Sequence, residues 1–118
     1  EQWKRELVKL FDRRRQEGCD IRFMDFTGFN RITTEPVPQV TGRDAMRYYW
    51  EYSHYSAEAG KELLASLLPS RHQDGPDGFG VDLTGATIEQ HLANFRQLRQ
   101  AYCASHPQET YKMPACRP

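Results

Sequence analysis

Only one stretch of this sequence is patterned for a β-strand, and that limits what the chain can become. Asp20-Ile21-Arg22-Phe23-Met24-Asp25-Phe26 is short, partly alternating and bounded by turn formers. A lone strand cannot make a stable sheet. Two outcomes satisfy the pattern. Either the fold is mostly helical, or the strand joins a sheet whose other strands lie outside these 118 residues. The chain begins at Glu1, not Met, and begins inside a helical pattern, which agrees with the second outcome and with a trimmed product.

The helical patterns surround that strand. Trp3, Leu7, Leu10 and Phe11 recur at helical spacing among Lys4, Arg5, Glu6 and Lys9, and predict an amphipathic helix that stops near Gly18. Arg13, Arg14 and Arg15 then fall in its last turn, where cations complement the helix dipole. Helix, Gly turn, strand is the αβ half of an α/β unit. Residues 27–42 read as a loop, punctuated by Gly28, Asn30, Pro36, Pro38 and Gly42. Residues 43–55 are aromatic and read as an irregular, partly buried segment. Ser56 is placed to cap a second helix, with Glu58 in its first turn, an apolar face of Leu63, Leu64, Leu67 and Leu68, and Pro69 as its stop. Residues 71–80 are a polar Asp/Gly/Pro loop, expected to be exposed. Thr87 and Gln90 have capping-box spacing ahead of a third helix with Ile88, Leu92, Phe95, Leu98 and Tyr102 on one face. The domain is expected to run over residues 1–106, with an irregular tail at 107–118.

Charge and composition remove several function classes. Sixteen basic residues balance sixteen acidic ones, so nothing points to nucleic acid or an acidic membrane surface. No apolar run approaches the roughly 20 residues that cross a bilayer. Cys19, Cys103 and Cys116 fit no metal motif. Cys103 and Cys116 flank a Pro-containing tail and can pair, which would favour an oxidising compartment; three free thiols satisfy the sequence equally.

The most unusual segment is Tyr49-Trp50-Glu51-Tyr52-Ser53-His54-Tyr55. A carboxylate three residues before a histidine can hold one ring nitrogen and fix the tautomer. The other nitrogen is then free to take a proton from a nucleophile. The bland alternative is a histidine packed among tyrosines at the edge of a core. Asp25 closes a strand, where ligand sites gather in α/β folds, but a turn-capping role fits it better. Asn30, with Arg31, is a candidate for lining a substrate pocket, against the alternative of a solvated loop. His72, His91 and His106 are scattered and read as surface residues. Glu51 and His54 have the Glu-x-x-His spacing of di-iron bundles, but one copy with no further ligand at suitable spacing implies neither a metal nor a cofactor.

Taken together, these segments resemble a family. Asp25-Phe26-Thr27-Gly28-Phe29-Asn30 is similar to the "DFSGYN" segment of bacterial SGNH/GDSL hydrolase-like proteins. Thr33-Thr34-Glu35-Pro36 then matches a "TTE-P" stretch, and residues 48–55 match "YYW(D/E)xSHY". Gly60 and the Leu-rich residues that follow also fit. So do Phe79, Gly80, Leu83, Thr84, Ile88, Glu89, His91, Leu92, Arg96, Arg99 and Tyr102, in a later "FGxxLT...IExHL...R..R..Y" pattern. The similarity spans most of residues 3–106.

The resemblance implies an α/β class. The chain would be the C-terminal portion of a three-layer α/β/α fold, mostly helical over this stretch. It implies that the Asp-x-x-His block of the family falls on Glu51 and His54. His54 would activate a serine, and Glu51, standing where the family has Asp, would orient it. The serine and oxyanion blocks of the family lie earlier in its sequences, and none is visible here. Ser53 is adjacent to His54, but sequence neighbours seldom reach the required geometry. The expected function is therefore the acid-and-histidine part of a serine esterase or acyltransferase. Its substrate would be an ester on carbohydrate or envelope polymer, in a periplasmic or envelope setting, and the chain would associate with the missing N-terminal part. The alternative is a non-catalytic interaction module that uses the aromatic segment 48–55 and the amphipathic helix 88–102. A metal-binding role through Glu51 and His54 ranks third.

Overall fold

The computed structural model describes residues 1–38, 46–50, 54–68 and 79–107. In chain order its elements are α1 (Gln2–Gln16), β1 (Met24–Asp25), α2 (Ala57–Leu67), β2 (Val81–Asp82) and α3 (Ile88–Ser105). The described residues are about half helical, with one two-stranded sheet made by β1 and β2. The expected α/β class holds at this coarse level. The strand read at residues 20–26 shrinks to two residues, and its partner comes from within the chain at β2. Two compact units result, Glu1–Met24 with Asp82–Pro118, and Asp25–Val81.

In the first unit α1 packs on α3. The inward residues of α1 are not the expected stripe. Trp3 is 57% exposed and Leu10 47%, while Lys4 and Val8 are buried and Phe11 and Arg15 are half-buried. The helix is thus rotated by about one residue from the hydrophobic reading. Two cations explain the rotation. Lys4 buries its aliphatic stem and sets its ammonium 5.4 Å from the Phe95 ring and 5.5 Å from the Trp3 ring. Arg15 is spent as a clamp. Its Nε donates to the Ile21 carbonyl at 3.0 Å, and Nη1 donates to Asp12 at 2.6 Å and to the Leu83 carbonyl at 3.3 Å. Nη2 reaches Asp82 at 3.3 Å, and Arg22 meets that same carboxylate at 3.2 Å. The other oxygen of Asp12 accepts the Gly85 N–H at 2.7 Å. Five donors in a fixed fork suit such a junction. Beneath it Val8, Leu83, Ile88 and Leu92 are buried, and the Phe11 and Phe23 rings stack at 4.9 Å.

α1 stops where the sequence says it should. Cys19 N–H donates to the Arg14 carbonyl at 3.0 Å and Gly18 N–H to the Arg15 carbonyl at 2.9 Å, with Gly18 at φ 88°. This is a Schellman closure, and its left-handed residue favours glycine. The start of α3 is a correction. Thr87 makes no side-chain cap bond. Its hydroxyl turns back instead, accepting the Thr84 N–H at 2.9 Å and donating to the Asp82 carbonyl at 3.1 Å. Gln90 donates to Asn94 at 2.8 Å and takes no part in a box. Ile88 N–H already bonds the Thr84 carbonyl at 3.0 Å, so the turn that starts the helix is wound from Thr84. Of the expected α3 stripe, Leu98 alone lies outward, 46% exposed. Cys103 is disulfide-bonded and Cys19 is free and exposed. Cys116, which the sequence offered as a partner equally with three free thiols, lies outside the described residues.

The second unit has its own core. Ile32, Tyr48, Ala59 and Phe79 form it, with Phe26, Tyr49 and Leu63 packed against it. Phe79 is 2% exposed, which overturns the reading of residue 79 as part of an exposed loop; residues 71–78 of that loop lie outside the described residues. On α2 the inward side is Ala59 and Leu63. Leu64 is 58% exposed, Leu67 39% and Leu68 53%, so three of the four leucines of the expected face are turned outward. Gly80, at φ 80°, lets β2 approach α2. A Cβ there would lie 2.7 Å from the Ser66 Cβ and 2.9 Å from the Phe26 ring.

The glycines give predictions of opposite sign. Gly18→Ala forces a left-handed alanine and should cost about 1 kcal/mol. Gly60→Ala, inside α2 with open space around its Cβ, should stabilise by up to about 1 kcal/mol. Gly80→Ala meets backbone strain and a rigid neighbour together, and should cost about 2 kcal/mol or more. Urea denaturation of the three variants checks the signs and the order.

Candidate functional site

The site is built on the turn and the ribbon that precede α2. Asp25 is buried, and its Oδ1 accepts the Thr27 N–H at 3.0 Å and the Thr27 hydroxyl at 2.7 Å. It caps a turn, as the sequence favoured. Gly28, at φ 117°, then redirects the chain. Asn30 is 5% exposed and organises the next turn. Its Oδ1 accepts the N–H groups of Ile32 and Thr33, both at 3.0 Å, while its carbonyl accepts the Thr34 N–H at 2.9 Å. Those two donors fix the amide orientation, and the Asn30 Nδ2 is left buried with no hydrogen-bond partner among the described residues. Asn30 is therefore a buried turn residue with a spare donor, not a member of a solvated loop. Its neighbour Arg31 turns to Tyr48 Oη and to Glu62, 3.1 Å away.

Residues 48–50 and 54–56 run antiparallel. Tyr49 and Tyr55 form a bridge, flanked by Trp50 N–H to the His54 carbonyl and Ser56 N–H to the Tyr48 carbonyl, both 2.9 Å. A pair flanked in this way does not exchange hydrogen bonds itself, so its side chains come close; the two rings lie 5.1 Å apart. Glu35 secures the first strand of the ribbon by accepting the N–H groups of Arg47 and, at 2.8 Å, Tyr48. Ser56 ties the second strand to α2. Its hydroxyl accepts the Ala59 N–H, as an N-cap does, and donates to the Arg47 carbonyl. On this frame His54 is exposed. Trp50 is 70% exposed and Tyr55 51%.

Glu51, the expected acid, and the neighbouring Ser53 lie outside the described residues, as does His72. The distance from Glu51 to His54 is therefore not part of the site's geometry. His91 sits on α3, and His106 stacks on Tyr102 at 4.2 Å at the end of that helix, with its Nδ1 2.9 Å from the Ser105 hydroxyl. Both belong to the other unit. Among the described residues no group of three His, Cys, Asp or Glu is placed to hold a metal, and no helix is long and apolar enough to cross a membrane. Sequence reasoning missed Glu35 as a support and Trp50 as the most exposed of the described aromatics in the run. Pro36 beside Glu35 masked the first. For the second, no pattern distinguishes one aromatic in a run of five. Comparison with protein-family models, with curated proteins and with solved structures finds no match to this chain.

Burial, reinforced by Tyr55 and by the carboxylate of Glu35, pushes the Tyr49 hydroxyl from its ordinary 10.0 up to about 12. The folded chain thus holds this proton more tightly than the unfolded chain does. The contribution is complete below about pH 10 and is lost as pH climbs toward 12. Tyr49→Phe should remove this part of the alkaline loss, so stability measured by urea at about pH 9 and about pH 11 should fall less in the variant than in the wild type.

Proposed function

We propose that this chain contributes the acid and the base, Glu51 and His54, of an SGNH-like serine esterase or acyltransferase whose nucleophilic serine lies outside these residues. The observation that carries the reading is the placement of His54. It is exposed on a ribbon held by Glu35, by the Tyr49–Tyr55 pair and by the Ser56 cap, immediately ahead of α2. A general base needs such access on a rigid support. In this reading His54 takes the serine proton as the serine oxygen attacks the ester carbonyl. It returns the proton to the departing alkoxide as the acyl–oxygen bond breaks. The acyl group then passes to water or to an acceptor hydroxyl. Glu51 stabilises the transient imidazolium, and Asn30, whose buried Nδ2 has no hydrogen-bond partner among the described residues, is the candidate for lining the substrate pocket. An ester on a carbohydrate or envelope polymer, in an envelope compartment, goes with the resemblance. The disulfide at Cys103 supports an oxidising setting.

A second reading, a non-catalytic interaction module, draws support from the exposure of Trp50, Tyr55 and Leu98. One variant separates the two. In the native gene product His54→Ala should lower ester hydrolysis by roughly a thousandfold or more while leaving the urea midpoint unchanged. Undiminished hydrolysis would remove the esterase reading and leave the module.

A further inference from the structure

The antiparallel ribbon puts one residue directly across from His54, and that residue is Trp50. The Trp50 N–H bonds the His54 carbonyl at 2.9 Å, next to the Tyr49–Tyr55 bridge. Side chains alternate along a strand, so a bridge with its two rings on one side sets residues 50 and 54 toward the other. Trp50 is 70% exposed there and has no ring partner among the described residues. An indole left in water costs apolar hydration, and it stands on one of the best-braced pieces of backbone in the unit.

The setting narrows what would lie on it. A fatty chain needs a concave groove, whereas this ring stands open. A quaternary ammonium needs several rings around it, and among the described residues Tyr49 and Tyr55 are taken up with each other. A nucleic acid strand needs a positively charged groove beside its stacking rings, and sixteen basic residues against sixteen acidic ones supply no such excess. A pyranose ring fits. One face of it is a sheet of C–H groups suited to an indole, and its rim carries hydroxyls within reach of an imidazole across the ribbon.

We propose that Trp50 is a specificity-determining platform on which a neutral sugar ring stacks, placing a ring hydroxyl, or the ester it bears, beside His54. The proposal rests on the reading of His54 as the base. It makes the sugar the leaving-group side of the ester.

The test is binding, which needs no turnover. ¹⁵N-labelled chain is titrated with chitotriose and with xylotriose, and the indole N–H signals of Trp50 and Trp3 are followed. Trp3, 57% exposed in the other unit, is the internal control. At least one of the two sugars should shift the Trp50 signal in a saturable way and leave Trp3 in place. Trp50→Ala should weaken binding roughly tenfold or more. Trp50→Phe should retain most of it. No shift with either sugar, equal shifts at both indoles, or full affinity in Trp50→Ala would each overturn the platform. Failure here is distinct from failure of the esterase reading, which is judged by hydrolysis in His54→Ala. Binding at Trp50 with undiminished hydrolysis in that variant would keep the platform and discard the base.

Discussion

The carboxylate of Glu35 is the constraint on which the candidate site depends. A short strand at an edge has amide hydrogens that need an acceptor. Here a side chain provides it, accepting from Arg47 and Tyr48 in place of another strand. Charged acceptors make the stronger hydrogen bonds. With Tyr48 fixed, its ring completes the core beside Ile32 and Phe79, and its carbonyl is aligned for Ser56. Ser56 then starts α2. Burial does most to oppose ionisation of Tyr49, and the same carboxylate adds to it.

Much of the helical framework was legible in the sequence because helix ends are written in local chemistry. Gly18 ends α1 through its left-handed backbone, and Ser56 starts α2 through its hydroxyl. What failed was orientation. A hydrophobicity pattern assigns Lys and Arg to water, yet Lys4 and Arg15 are turned inward on α1, one by its stem and one by its hydrogen bonds. The capping box failed for a related reason. The Thr87 hydroxyl had a closer use in the turn behind it than in the helix ahead. β2 is two residues long and carries no periodicity to read, and Phe79 was hidden by its polar neighbours.

The site was legible in part. The segment around His54 stood out as a run of unusual residue types, and its exposed histidine and braced frame could be built from those residues upward. The roles within the run could not be read. Five aromatics look alike in sequence, while in the fold Tyr48 is core, Tyr49 and Tyr55 are a cross-strand pair and Trp50 faces solvent. Asn30 was singled out for its position in a motif. Its physical distinction, a buried amide with one end satisfied and the other not, needs three-dimensional neighbours to be seen.

The path of the chain between its two units carries a consequence for how such a protein tolerates change. The chain leaves the first unit at Met24 and returns at Asp82, and beside these points Leu83 N–H bonds the Phe23 carbonyl at 2.8 Å. The intervening segment therefore departs and returns at hydrogen-bonded neighbours. Topologically it is a long excursion from a closed neck. The entropy of closing such an excursion grows only slowly with its length, so insertions and deletions inside it bear lightly on the first unit. The residues proposed for chemistry all lie within that excursion, where sequence can lengthen, shorten and diversify while α1, α3 and the Arg15 clamp stay as they are.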